Sequence, residues 1–201
     1  MARPKQISDT DLYRAAQRVY QRRGHHNFTL SELAREVKLS RAAIIQRLEG
    51  AEALKIALSA DALSFFEDAL RELPSTRDGD SLIALAAFIG DTLTERTQLA
   101  SYLQNFQADV ADKHLAELDE RRAAALFDAV SERMPKIAVE HASAVQAFVA
   151  HMGGSLLQWQ ILAETVSAKQ FMIDRTRVWL QIAGIPHDKD NPHQENNSCR
   201  P

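Results

Sequence analysis

An all-α fold is what this sequence predicts, and three observations predict it. Helix-start signatures recur three times within the first forty or so residues. Apolar residues then return at three- and four-residue spacing almost to residue 183. No stretch shows the strict apolar–polar alternation of a half-buried strand, and no internal repeat stands out.

The first signature pairs Ser8 with Asp11 as a capping box, with Ile7 and Leu12 at the spacing of a hydrophobic staple. It predicts a helix over 9–23 whose apolar face is Leu12, Ala15, Ala16, Val19 and Tyr20, with Gly24 as its stop. The second pairs Thr29 with Glu32 and Phe28 with Leu33, opening a short helix near 30–37 that buries Leu33, Ala34 and Val37. The third is Ser40 as N-cap between Leu39 and Ile44, opening a helix near 41–48 that buries Ile44 and Leu48. Its other face, Arg41, Ala42, Ala43, Gln46 and Arg47, is polar and poor in bulk at its start. Two short helices joined by a tight turn form a helix-turn-helix, whose second helix is the size to enter a DNA major groove.

Gly50 separates this head from a long helix over 51–73, followed by the loop Pro74 to Asp80. Helices are expected near 81–95, 98–109 and 112–134, the last ended by Pro135. Two more, near 138–164 and 168–183, are rich in bulky apolar residues on more than one face. A second copy of the chain, pairing these helices across a two-fold axis, is the economical way to cover them. Phe148, Leu156, Phe171, Val178 and Trp179 are the candidate interface residues. The stretch after Gly184, with three prolines and many polar residues, reads as a disordered tail.

Composition excludes several classes. The net charge of −3 hides a split: residues 1–57 hold eleven Lys/Arg against six acids, or +5, which leaves −8 for the rest. A basic head on an acidic body suits a protein that offers one end to an anionic polymer. No secretory signal and no membrane-length apolar run is present, and Cys199 is the only cysteine, so a cytoplasmic location and no membrane partner are expected. The Glu-x-x-His pairs of a di-iron centre are missing, and His114, His141 and His151 lack ligand partners at helical spacing. His25 and His26 fall in a predicted loop. There is no phosphate-cradling glycine loop and no nucleophile elbow. No enzyme, cofactor or metal is expected.

With three N-terminal helices, a helix-turn-helix at the second and third, and a helical body, the chain resembles the tetracycline-repressor (TetR) family of bacterial regulators. The stretch Thr29 to Leu54, TLSELAREVKLSRAAIIQRLEGAEAL, carries the resemblance. Lys38 stands at a turn position that is most often glycine in the family. Ile45, Arg47 and Leu48 stand where it typically shows Tyr, His and Phe, and Ala51 replaces a lysine. The resemblance implies base-edge contacts from Arg41, Ala42 and Ala43, and phosphate contacts from Thr29, Gln46 and Arg47. Arg3 and Lys5 on an N-terminal arm are expected to reach the backbone or a neighbouring minor groove. It further implies a small-molecule effector held by the body. On the predicted body helices Phe106, His151, Met152 and Trp159 are pocket candidates, and Gly153-Gly154 permits a kink or a close approach.

The expected architecture is therefore about nine helices: a helix-turn-helix DNA-binding domain over 1–50, an effector-binding and dimerisation domain over 51–184, and a tail over 185–201. The expected function is a homodimeric transcriptional regulator, a repressor in the family's usual mode. It would bind a pseudo-palindromic operator in double-stranded DNA and be released by an apolar or aromatic ligand. The alternative is a helical interaction and ligand-sensing module that has weakened or lost DNA binding.

Overall fold

A computed structural model describes residues 7–48, 50–92, 113–162 and 165–188. Among these, every regular element is helical: α1 (Asp9–Asn27), α2 (Leu30–Val37), α3 (Arg41–Arg47), α4 (Ala51–Glu72), α5 (Gly79–Asp91), α6 (Lys113–Arg133), α7 (His141–Ile161) and α8 (Ala168–Ala183). The helix expected near 98–109, with Phe106, lies outside the described residues, as do Arg3 and Lys5. The chain divides into two compact units. One holds α1–α3, α4 to Phe66 and α6 to Arg121; the other holds the rest of α4 and α6 together with α5, α7 and α8.

In the first unit, the three N-terminal signatures become real caps. The Asp11, Glu32 and Ala43 backbone N–H groups donate to the hydroxyls of Ser8, Thr29 and Ser40 at 3.1, 3.2 and 3.1 Å. Only half of the Thr29 box closes, because Glu32 turns its carboxylate to Arg23 at 2.7 Å instead of back to the cap. An ion pair outcompetes the reciprocal hydrogen bond. Lys38 takes the left-handed conformation (φ 56°) that ends α2, and its N–H returns to the Ala34 carbonyl.

One boundary differs from expectation. Helix α1 does not stop at Gly24 but runs on to Asn27, so His25 and His26 lie in the helix. One glycine costs a helix interior only about 1 kcal/mol. The chain must leave the helix later, where Thr29 needs extended backbone (φ −129°, ψ 142°) to act as the next N-cap.

Leu12, Ala15, Ala16, Val19, Phe28, Leu30, Leu33, Ile44, Leu54 and Leu58 form one buried cluster, with Tyr13, Tyr20, Ala34, Val37, Leu39 and Leu48 packed around it. Polar links add register between α1 and α4. Tyr13 and Gln17 both donate to Asp61, at 2.9 and 3.0 Å, and Tyr20 meets Ser59 at 2.8 Å. Burial, with the Asp61 carboxylate alongside, pushes the Tyr13 phenol up to about 12.

The second unit is organised on α8, which packs along α5 and against α7. Glycine sets how closely α5 approaches. A Cβ on Gly90 would lie 2.6 Å from the Lys169 Cα, and one on Gly79 would lie 2.5 Å from the Pro186 carbonyl oxygen. The expected tail begins later than its composition suggests. Gly184 closes α8 in the left-handed conformation, Ile185 and His187 are buried, and the Asp188 N–H donates to Asp80 at 3.0 Å. Pro186 and His187 against Gly79, with the Asp188 bond, hold this stretch to the start of α5; residues 189–201 lie outside the described part.

Candidate nucleic-acid interface

Helix α3 turns Ile44 fully into the core and leaves Arg41, Ala42, Ile45 and Gln46 exposed, with Ala43 half-buried. Ser40 fixes where this helix starts and Lys38 fixes the turn before it, so its outward face is set by local chemistry. Thr29 is exposed at the start of α2. Its oxygen accepts from the Glu32 N–H, which leaves its own hydroxyl proton for an outside acceptor.

Charge pairing within this unit is selective. Asp9 takes Arg47, Asp11 takes Arg14, Glu32 takes Arg23, Glu52 takes Lys55, and Glu36 takes both Arg18 and Arg22. Arg22, hydrogen-bonded to Glu36, holds that carboxyl below its ordinary value. Among the described residues, the cations left over are Arg35, Lys38 and Arg41, all exposed. They fall in the last turn of α2, the turn and the first position of α3. The unpaired positive charge thus gathers on the helix-turn-helix itself.

Arg47 departs from its expected place. Its Nε donates to Asp9 at 2.6 Å and a terminal nitrogen donates to the Ile7 carbonyl at 2.8 Å. These bonds brace the end of α3 against the start of α1 and leave little guanidinium for a phosphate. Arg35 and Lys38, not singled out by the motif, are the free cations instead. The signal for them is a pairing pattern between helices, which linear spacing does not show.

The body candidates separate by burial. Met152 and Trp159 lie in the core, and the Trp159 indole N–H donates to the Val166 carbonyl at 2.9 Å, closing the connection from α7 to α8. His151 is half-buried, its ring 6.1 Å from both Phe148 and Trp179. Burial lowers its pKa below the ordinary histidine value, only partly offset by a hydrogen bond with the Arg175 backbone.

Two interface expectations need correcting. Phe148 and Phe171 are 0% and 3% exposed, so they fill this unit's own core and offer no area to a second copy. Leu156 and Trp179 are only partly exposed. The outward faces are Ala147, Ala150, Gly154, Leu157 and Ile161 on α7, and Val178 and Ile182 on α8. Gly153 and Gly154 lie within one continuous helix and make no close internal contact, since a Cβ on either would meet open space.

Comparison with solved structures decides the fold. The transcriptional regulator FadR from Bacillus subtilis, in complex with stearoyl-CoA, aligns with a TM-score of 0.58 at 14% identity over 89% of this chain and 100% of its own. The multidrug binding protein EbrR, complexed with proflavin, aligns at 0.55 and 18% identity over 85% and 98%. The ketosteroid transcriptional regulator KstR2 of Mycobacterium tuberculosis aligns at 0.53 and 14% identity over 91% and 98%.

The fold is TetR-like. No protein-family model matches the chain, and no curated protein matches it by sequence. The first unit holds the helix-turn-helix α2–α3, and the second holds α5, α7 and α8. None of the chain's described helices is long and apolar enough to cross a membrane. Its described residues contain no cluster of three or more His, Cys, Asp or Glu able to hold a metal ion.

Proposed function

We propose that this chain is a DNA-binding transcriptional regulator, a repressor, that grips an operator as a homodimer in the cytoplasm and is released by a small apolar or aromatic ligand. The observation that carries the reading is the placement of uncompensated charge. After Asp9, Asp11, Glu32, Glu36 and Glu52 have each taken a basic partner, Arg35, Lys38 and Arg41 remain, all on the helix-turn-helix. Arg41 reads a guanine edge through its two-pronged guanidinium, while Ala42 and Ala43 allow close approach. Arg35 and Lys38, with Thr29, Gln46 and the arm residues Arg3 and Lys5, hold phosphates and set register.

The exposed Leu157, Ile161, Val178 and Ile182 support the dimer, because α7 and α8 carry them beside small residues that admit a closely packed partner helix. FadR with stearoyl-CoA and EbrR with proflavin support an apolar or aromatic effector. The body would hold it, with the half-buried His151 as the candidate contact among the described residues. Effector binding must favour a state that fits DNA worse, since only differential affinity shifts such an equilibrium.

The test is binding to duplex DNA across a salt series. Affinity should fall steeply with ionic strength, because each phosphate contact releases counterions. Arg41→Ala should relax base preference at one position of each half-site by about 1–3 kcal/mol. Arg35→Ala should weaken all sequences alike and flatten the salt slope. A dimer that binds no duplex at low salt would leave the alternative, a ligand-sensing module without DNA binding.

A further inference from the structure

The outward face of α3 carries one feature that neither charge nor core packing accounts for. Ile45 is 44% exposed, and it stands apart from the buried cluster that Ile44 and Leu48 join. It lies one turn after Arg41, so the two side chains are surface neighbours at i and i+4. Ala42 and Gln46 flank it, and no bulky side chain on α3 stands between it and an approaching surface.

A branched aliphatic side chain next to an unpaired arginine suits a mixed target, with a polar edge beside a methyl group. The DNA major groove offers that pair where a guanine lies near a thymine, whose C5 methyl is the groove's apolar landmark. The free charge on Arg35, Lys38 and Arg41 draws the helix to an anionic polymer and not to an apolar protein face.

We infer that Ile45 is a specificity-determining residue that packs against a thymine methyl in the operator half-site, beside the base that Arg41 reads. The inference rests on the DNA-binding reading above. It assigns to Ile45 a sequence preference that a phosphate-contacting residue would not impose.

The experiment first selects preferred duplexes from a random pool with the purified full-length chain, then replaces each thymine of the half-site by uracil, which removes only the methyl. The wild-type chain should lose roughly three- to fivefold in affinity at one thymine, the worth of one buried methyl group. Ile45→Ala should bind the thymine and uracil duplexes equally at that position, while Ile45→Val retains most of the discrimination. Arg41→Ala should keep the uracil effect and lose preference at a neighbouring base. If Ile45→Ala shows the same uracil loss as wild type, or no thymine is sensitive, the assignment is overturned and the DNA-binding reading stands. If no duplex is enriched at low salt, both fall together.

Discussion

One arginine of the second unit is used in the opposite way to those of the first, and the contrast shows two uses of the same side chain. In the first unit, arginines lie at the surface. Most are matched to one acid, and Arg35 and Arg41 are left facing out. In the second, Arg133 at the end of α6 is 1% exposed and bonded to backbone. Its guanidinium donates to the carbonyls of Pro74, Ala129, Leu70 and Leu73 at 2.7, 2.8, 3.0 and 3.0 Å. Three of those carbonyls end α4 or follow it, where a helix presents unsatisfied acceptors and the negative end of its dipole. Burial pulls the Arg133 pKa below its ordinary value, but no common pH removes its charge. Arg35 and Arg41 stay unpaired at the surface, whereas the buried Arg133 closes a helix end.

The largest expected effect breaks this comparison at Arg133. Arg133→Ala removes the donor to the Leu70, Leu73 and Pro74 carbonyls and leaves a void, so it should destabilise the second unit by about 3–5 kcal/mol. Arg18→Ala, which removes half of a surface pairing that Arg22 also serves, should stay within about 0.5 kcal/mol. Urea unfolding of both variants measures the difference. Similar losses would mean that Arg133 is as dispensable as a surface charge.

Next in size is the close crossing at Gly90. A methyl there meets backbone of α8, which cannot move aside as a flexible side chain would. Gly90→Ala should cost about 1–3 kcal/mol despite its better helix propensity, whereas Gly154→Ala, facing open space, should be neutral or slightly stabilising in the isolated protomer. Thermal unfolding separates the two. In the first unit, Ser40→Ala removes the N-cap of α3 and should cost about 1 kcal/mol, loosening the helix that presents Arg41.

These sites also mark what was legible in the sequence. The head is written in local chemistry. Ser8, Thr29 and Ser40 each fix a helix start through a hydrogen bond to a residue three positions on, so spacing alone located α1, α2 and α3. Lys38 takes a left-handed turn at the position that the family resemblance marked as most often glycine. The body depends on contacts between residues far apart in the chain: Arg133 with Leu70, Gly90 with Lys169, Gly79 with Pro186. None of these has a linear signature. Phe148 and Phe171 read as interface residues because apolarity does not reveal which neighbour covers them. Arg47 read as a phosphate ligand because its pairing with Asp9 spans two helices.

The smallest expected effect compares the units by acid. Glu36 in the head has its pKa lowered by the hydrogen bond from Arg22. That contribution is complete above the ordinary value of 4.5 and is lost only as pH falls toward the depressed one. His151 in the body is lowered by burial, so between its folded value and the ordinary 6.5 the unfolded chain binds the extra proton. Stability from that ring is therefore complete above about 6.5 and declines as pH drops below it. Acidifying from pH 8 to 5.5 should lower the unfolding midpoint of the body while the Glu36 pairing in the head persists. His151→Phe, which keeps the ring's bulk beside Phe148 and Trp179 and removes the titrating group, should flatten that dependence. Amide exchange at both pH values reads the units separately. Equal loosening of head and body, or an unchanged slope in His151→Phe, would place the acid-sensitive group outside the α7–α8 pair.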